Sequence, residues 1–248
     1  DTGDVFVDGT NTAPMSEPRA CSSRVRTLLD FTFGKRTTRS VPRSQLLLLT
    51  FSLLLYVGIE ACFGSWLASY ATELDLADTV TAAYMTSVFW ASLTAGRLLA
   101  VPLSVRLHPM LMVLIDVSVI CAAALLLGVL PRTAAVLWTL TAFFGLACGS
   151  VFPTVFSFPS WLGLVVSARD SMWCMVGVSI AEMTIPLLVG WVFQGVGYGA
   201  WPYSLLALGV VLLVMIILLA KTAPRRIIAF HAGGMDVELR DSAGAASV

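Results

Sequence analysis

The sequence predicts an all-α integral membrane protein with six transmembrane helices. Of its 248 residues, 58% are hydrophobic and only 12% are charged, which is too little charge to cover the surface of a soluble domain of this length. The hydrophobic residues are concentrated in six long runs, each of about 20 residues or more, the length that crosses a bilayer as an α-helix. The formal net charge is zero, which argues against a basic nucleic-acid-binding surface.

Polar segments flank the apolar runs. Residues 1–44 mix acidic residues, Pro, Ser and Thr before a basic stretch, and we predict a flexible cytosolic segment there. Residues 221–248 are mostly polar and predict a disordered cytosolic tail. Because the chain starts at Asp1, without Met or a signal peptide, we expect it to be a fragment of a longer protein. The six runs between these segments cover 45–71, 80–103, 110–130, 133–158, 171–193 and 201–220.

The basic residues predict the orientation of the helices. One side of the predicted membrane bundle holds the basic leader, Arg106, Arg169 and the start of the tail. The loops on the opposite side hold only Arg132. Basic loop residues favour the cytosolic side of a membrane, so we predict that both termini are cytosolic. We expect the plasma membrane as the location.

Two carboxylates lie near the middle of predicted spans, where a charge costs about 3 kcal/mol or more unless it faces a partner, a cavity or a bound ion. They are Glu60 in the first run and Glu182 in the fifth, and no Lys or Arg is predicted at their level. Each is a candidate site for a proton, a sodium ion or polar groups of a solute. The alternative is a protonated carboxyl group hydrogen-bonded to a neighbouring helix. Tyr56 shares the helix face of Glu60, since it precedes it by four residues.

Arg97 and Asp116 are the other ionisable residues inside the spans. Each lies about six residues from the cytosolic end of its run, a depth of roughly 10 Å at helical rise. They are opposite in charge and at one level on adjacent helices, so we predict that they form an ion pair. Such a pair is either structural or a cytosolic gate.

Small residues and prolines mark the fourth and fifth runs. Gly145, Gly149 and Pro153 recur at every fourth position and predict a close helix contact with a kink, either for packing or as part of a site. Pro186 follows Glu182 by one turn, and a break there would free backbone carbonyl groups for a cavity.

Other functional classes lack their motifs. Residues 196–199 read VGYG, as in a potassium filter, but residue 195 is Gly where a filter has Thr, so we predict a tight turn instead of a channel. The five cysteines show no CxxC spacing, and we expect no disulfide, metal site or cofactor. Neither HExxH nor a Ser–His pair is present, and both histidines lie outside the runs, so we expect no enzymatic activity.

Motifs in several runs resemble the fucose:proton symporter branch of the major facilitator superfamily. Tyr56-Val-Gly-Ile-Glu60, with Trp66 and Tyr70 after it, resembles the seventh helix of that branch. Gly96-Arg97, with Leu103, resembles the eighth helix. Residues 149–157, GSVFPTVFS, resemble the tenth-helix pattern of an aromatic residue, Pro and Thr followed by Phe-Ser.

Further positions resemble the sodium-dependent glucose transporter group within the branch. These are Phe63-Gly64, Trp90, and residues 181–183, AEM, with Pro186. Trp66 and Trp90 could stack on a sugar ring, with core or lipid packing as the alternative for each.

The resemblance covers about residues 45–220 and implies that the six runs are helices seven to twelve of a twelve-helix carrier, the C-terminal half of a major facilitator fold. It implies cation-coupled uptake of a hexose-like sugar by alternating access, with Na⁺ or H⁺ as the coupling ion and an N-terminal six-helix half as the missing partner. The alternative is a non-transporting, truncated paralogue that acts as a membrane binding or regulatory subunit. The candidate solute- or ion-binding residues are Glu60, Glu182, Tyr56, Trp66, Trp90 and Thr154.

Overall fold

Almost all described residues lie in six long α-helices. The structure is a computed structural model that describes residues 39–162 and 164–222. Each predicted apolar run matches one helix to within three residues at either end. We number the helices α1 (Arg43–Glu73), α2 (Thr79–Arg106), α3 (Pro109–Val129), α4 (Ala134–Trp161), α5 (Ala168–Val196) and α6 (Trp201–Thr222).

Part of the predicted terminal segments lies outside the described residues. This applies to residues 1–38 of the predicted flexible segment and to 223–248 of the predicted tail. The last residues of the first segment are ordered into short elements, since Arg39–Ser40 pairs in parallel with Leu164–Val165 and α1 begins at Arg43. The amide of Gln45 donates a hydrogen bond of 3.1 Å to the carbonyl of Thr222, which joins the start of α1 to the end of α6.

Five of the helices in the described part are long and apolar enough to cross a membrane, namely α1, α3, α4, α5 and α6 with the turn before it. The chain is therefore an all-α, multi-pass integral membrane protein. Helix α2 is long enough but is not among the five. Its sequence includes Arg97 and several Thr and Ser residues, which reduce its apolar character, and its membrane crossing stays a prediction.

The glycine-rich stretch 195–199 covers the end of α5 and the predicted turn that follows it. Gly197 has a φ of 90°, a backbone conformation that glycine adopts without a steric penalty. A short 3₁₀ turn, Tyr198–Ala200, follows and leads directly into α6. The turn explains the VGYG sequence without a channel filter.

Helix α1 is the centre of the bundle and packs against α2, α4, α5 and α6. Its Phe63 ring stacks on Phe144 of α4 with 4.0 Å between ring centroids, and lies 4.9 Å from Phe89 and 5.0 Å from Trp201. Helix α2 packs mainly against α4, and α3 packs mainly against α4 and α6. Helix α5 packs mainly against α1, so α1 contacts each of the other helices that carry a candidate solute- or ion-binding residue, namely α2, α4 and α5.

Candidate functional site

A buried carboxylate and an exposed guanidinium meet between α1 and α2. Glu60 Oε1 lies 3.6 Å from Arg97 Nη2. The Glu60 side chain is only 12% exposed, whereas that of Arg97 is 53% exposed. A buried carboxylate needs a neutralising partner. The guanidinium of Arg97, on the exposed face of α2, supplies one.

The predicted ion pair between Arg97 and Asp116 is not formed. Asp116 Oδ2 instead accepts a hydrogen bond from the hydroxyl of Ser150 on α4, while Arg97 pairs with Glu60. Helix α2 continues to Arg106, three residues beyond the predicted run, and the long side chain of Arg97 reaches across to Glu60 on α1. The expectation that no Arg lies at the level of Glu60 is therefore wrong.

The backbones of α2 and α4 touch beside Arg97. A Cβ atom on Gly149 would lie 2.5 Å from the Arg97 amide nitrogen, and one on Gly96 would lie 2.3 Å from the Leu146 carbonyl oxygen. A Cβ on Gly145 would lie 2.7 Å from the carbonyl oxygen of Phe89. The close helix contact predicted from the small residues is confirmed. This contact fixes the backbone of Arg97, while the Arg97 side chain stays exposed.

Tyr56 ties the buried side of the site to α4. Its side chain is fully buried, and its hydroxyl donates a hydrogen bond to the backbone carbonyl of Cys148. The Glu60 carboxylate, one turn later on α1, lies within electrostatic range of the same hydroxyl. Tyr56 and Glu60 therefore share one face of α1, as predicted.

The second candidate carboxylate, Glu182, is exposed on α5. It lies within electrostatic range of Glu60, and the two like charges repel. The site therefore holds two carboxyl groups, Glu60 and Glu182, beside the guanidinium of Arg97. The Asp116 carboxylate accepts a hydrogen bond from Ser150 instead of pairing with Arg97.

Trp66 links α1 to the segment around Pro186. Its indole Nε1 donates a hydrogen bond of 2.9 Å to the Pro186 carbonyl, and its ring meets Phe193 edge-on with 5.0 Å between centroids. The ring also fills the space over Gly190, where a Cβ would lie 2.4 Å from Trp66 Cζ2. Through these contacts Trp66 connects α1 to α5. Less of its ring surface therefore remains free to stack on a solute.

Trp90 keeps an open ring surface, because it is 45% exposed on α2. It lies against Gly64 of α1, where a Cβ would come within 2.9 Å of Trp90 Cζ2. Thr154 is placed differently, since its hydroxyl donates to the Ser150 carbonyl and its side chain lines a small apolar cavity formed with α3 and α6. Pro153 is exposed on α4. The structure therefore brings Trp90 to the open side and does not bring Thr154 to Glu60.

Sequence reasoning missed two contributors to the site. Ser150 donates a hydrogen bond to the Asp116 carboxylate, and a hydroxyl inside the apolar fourth run was the signal that could have revealed it. The Cys148 carbonyl carries no sequence signal, because backbone acceptors look alike in sequence. Within the described residues, no group of three His, Cys, Asp or Glu side chains is arranged to hold a metal ion.

Known proteins similar to the chain include a major facilitator superfamily domain-containing protein and sodium-dependent glucose transporters. Major facilitator superfamily domain-containing protein 4A of Homo sapiens is 31% identical over 166 residues, which are 66% of this chain and 31% of that protein. Sodium-dependent glucose transporter 1 of Danio rerio is 30% identical over 135 residues, 54% of this chain and 23% of that protein. The chain is a relative of major facilitator superfamily proteins. The resemblance predicted from the sequence motifs is confirmed.

The similarity to major facilitator proteins covers only part of them. Sodium-dependent glucose transporter 1 of Xenopus laevis is 32% identical over 137 residues, 55% of this chain and 28% of that protein. The chain thus spans between about a quarter and a third of the length of these major facilitator relatives. No family model matches the chain. No solved structure matches it.

Proposed function

We propose that α1 to α6 form the C-terminal half of a major facilitator carrier and correspond to its helices seven to twelve. The relationship to the superfamily and the small share of each relative that the chain covers support this assignment. In the proposed carrier both ends of the six-helix half lie in the cytosol, and the plasma membrane is its location.

We propose that the intact carrier couples uptake of a hexose-like sugar to entry of Na⁺ or a proton by alternating access. The observation that carries this proposal is the buried Glu60 carboxylate, which faces an exposed guanidinium inside a membrane protein. Such a group is retained at a cost of several kcal/mol and marks ion pathways in membrane proteins. The relatives named sodium-dependent glucose transporters supply the solute class and one candidate ion.

The exposed faces of α2 and α5 support a solute pathway along this side. Thr94 and Arg97 on α2 are exposed, as are Ser179 and Glu182 on α5. Lipid would leave the charged groups of Arg97 and Glu182 unsolvated, whereas a water-filled pathway solvates them. A second six-helix body then closes the pathway and covers exposed apolar side chains such as Met183, which is 78% exposed.

The candidate residues take distinct parts in this proposal. Glu60 is the coupling carboxylate, Tyr56 positions it, and Glu182 adds a second negative charge at the pathway. Trp90 offers its open ring to the apolar face of a sugar. Trp66 holds α5 against α1 through the Pro186 carbonyl.

The test is uptake of a panel of hexoses into proteoliposomes that contain the longest natural gene product with these residues, with and without a Na⁺ or proton gradient. We expect gradient-driven uptake of at least one hexose, lost in Glu60→Gln and reduced in Glu182→Gln. Glu73→Gln, at the exposed end of α1, is the matched control and should transport like the unsubstituted protein. The 248-residue chain alone should not accumulate solute, because one half cannot alternate access by itself.

Three results would contradict parts of the proposal. Uptake of no hexose rejects the solute class. Hexose uptake that ignores both gradients rejects coupling. Accumulation by the 248-residue chain alone rejects its assignment as half of a carrier.

A further inference from the structure

We propose that the segment of chain before α1 forms a clasp that opens and closes, and that its opening releases the start of α5. The clasp consists of residues 39–42 together with the strand Leu164–Val165, with which Arg39–Ser40 pairs. It lies where α1 and α5 begin and where α4 and α6 end. The inference goes beyond the proposed transport function and does not depend on it.

The strand pair of the clasp joins parts of the chain that are far apart in sequence. Its first strand directly precedes α1, and its second strand belongs to the connection between α4 and α5. The two strands run in parallel, with Ser40 opposite Val165. The backbone before α1 therefore holds the connection from which α5 starts.

Val41 and Pro42 form a stiff joint between the first strand and α1. Pro42 has a φ of −59° and a ψ of 140°, and its ring prevents rotation about φ. A residue that precedes proline is itself restricted to extended conformations. The carbonyl of Pro42 also accepts a hydrogen bond of 3.0 Å from the amide of Leu46 in the first turn of α1. The first strand therefore moves together with α1.

The contact beneath the clasp is incompletely filled. Val41 lines a small apolar cavity together with residues at or next to the ends of α1, α4 and α6, among them Leu49, Phe158, Leu162 and Leu219. An unfilled space forfeits van der Waals contacts, so closure of the clasp gains less than a filled contact would.

Gln45 is only partly satisfied while the clasp is closed. Its amide nitrogen donates a hydrogen bond of 3.1 Å to the Thr222 carbonyl, whereas its Oε1 atom is buried and has no hydrogen-bond partner among the described residues. Gln45 also lines the cavity next to Val41. A buried acceptor without a partner opposes closure, because water satisfies that acceptor when the clasp opens.

The hydrogen bonds that close the clasp are few as well. Each strand is two residues long, and a two-stranded pair is marginally stable by itself in water. A short strand pair that closes over an unfilled cavity and an unsatisfied acceptor has two accessible states, closed and open.

Helix α5 is the element that the clasp controls. It packs mainly against α1 and has little contact with α6. When the clasp is open, the contact with α1 is therefore the main tie of α5. Glu182 lies on this helix, so the clasp acts on a helix of the candidate site.

The competing interpretation is that the clasp is a permanent anchor. The two interpretations differ in what a covalent lock does to the backbone amides of residues 164–167. A permanent anchor never opens, so a lock leaves the hydrogen exchange of these amides unchanged. A clasp that opens exposes them, so a lock must slow their exchange.

The experiment locks the clasp with a disulfide in the 248-residue chain, purified in detergent, with its native cysteines replaced. Ser40→Cys and Val165→Cys occupy opposed positions of the strand pair, and both residues are exposed. Neighbouring strands hold opposed residues within the Cα separation that a disulfide spans. We expect copper phenanthroline with dissolved oxygen to cross-link this pair. Ser40→Cys with Ser104→Cys, near the end of α2, is the matched control and should not cross-link.

Hydrogen–deuterium exchange, followed by mass spectrometry, reports the opening of the clasp. We expect residues 164–167 to exchange about tenfold or more slowly in the oxidised form than in the reduced form of the same protein. Comparison of two forms of one protein cancels any folding defect that the substitutions cause.

A second variant, which keeps the native cysteines, shifts the clasp in the opposite direction. Val41→Ala removes apolar atoms that line the cavity, so it should speed exchange at residues 164–167 by about threefold or more. Leu47→Ala, whose side chain is 60% exposed on α1, is the matched control and should leave this exchange unchanged.

Three results overturn the inference. Failure of Ser40→Cys and Val165→Cys to cross-link shows that the strand pair does not form. Equal exchange in the oxidised and reduced forms shows a permanent anchor. Equal effects of Val41→Ala and Leu47→Ala show that the cavity contact does not hold the clasp closed. None of these results bears on hexose uptake, so the clasp and the transport proposal fail separately.

Discussion

Gly149 is a residue at which a single added methyl group should strongly disturb the site. Its Cβ would meet the Arg97 amide nitrogen and the Gly96 carbonyl carbon, each at 2.5 Å, and both are backbone atoms that cannot rotate away. We predict that Gly149→Ala forces α2 and α4 apart and lowers the free energy of unfolding by about 1–3 kcal/mol, as other overpacked contacts do. Unfolding in mixed detergent micelles measures this change.

Gly177→Ala is the control for Gly149→Ala. A Cβ there would lie 3.7 Å from Thr50 Cγ2, an ordinary van der Waals distance. Gly177→Ala should therefore leave stability unchanged or raise it by up to about 1 kcal/mol, because alanine favours the helix. Equal effects of the two substitutions would show that the α2–α4 crossing is looser than the structure describes.

Some neighbours of the charged residues could be predicted from the sequence, and others could not. The pairing of Tyr56 with Glu60 was predictable, because residues four apart on a helix face the same side. The partner of Arg97 was not, since it depends on the rotation of α2 about its axis, which the contact at Gly149 sets. Asp116 likewise faces Ser150 because of how α3 packs on α4, and the spacing of apolar runs carries no information on that packing.

At the level of helices, Trp66 adds a polar link to the packed contact between α1 and α5. Trp66 donates its indole hydrogen to the Pro186 carbonyl at 2.9 Å. We predict that Trp66→Phe, which keeps an aromatic ring but removes the donor, lowers the free energy of unfolding by about 0.5–1.5 kcal/mol. The same micelle unfolding assay measures it.

Trp191 on α5 is the matched control for this helix contact. Its side chain is 75% exposed, so Trp191→Phe should change the unfolding free energy by less than about 0.5 kcal/mol. A loss for Trp66→Phe no larger than for Trp191→Phe would mean that the Pro186 carbonyl does not depend on this donor.

The existence of the helices was largely predictable, whereas their mutual arrangement was not. Crossing a bilayer demands about 20 apolar residues, so each run gave a helix with nearly correct ends. Thr154 shows the limit, because its motif was recognised but the face of α4 that carries it turns toward α3 and α6. A motif gives a residue's position along a helix, and only packing decides which neighbours it meets.

At the scale of the whole molecule, the open side of α2 and α5 should face water in the intact carrier. We predict that cysteine at Thr94, in a background with the native cysteines replaced, reacts with a charged, membrane-impermeant thiol reagent and is protected by the transported sugar. Thr94 is exposed on α2 and lies three residues from Arg97. A water-filled pathway at this level would admit such a reagent.

The control for accessibility is Leu125 on α3, which is 45% exposed on a helix that packs mainly against α4 and α6. Cysteine at Leu125 should not react, because lipid excludes the charged reagent. Labelling of both positions to the same extent, or of Leu125 alone, would place the pathway elsewhere.

We propose that Glu60 couples a cation to solute movement, and a comparison of two transport modes of the Glu60→Gln carrier tests this coupling. Accumulation driven by a cation gradient requires a carboxylate that binds the ion, whereas exchange of labelled for unlabelled solute at equal concentrations does not. We predict that Glu60→Gln loses gradient-driven accumulation but retains solute exchange in proteoliposomes. Accumulation equal to that of the unsubstituted carrier would contradict the account.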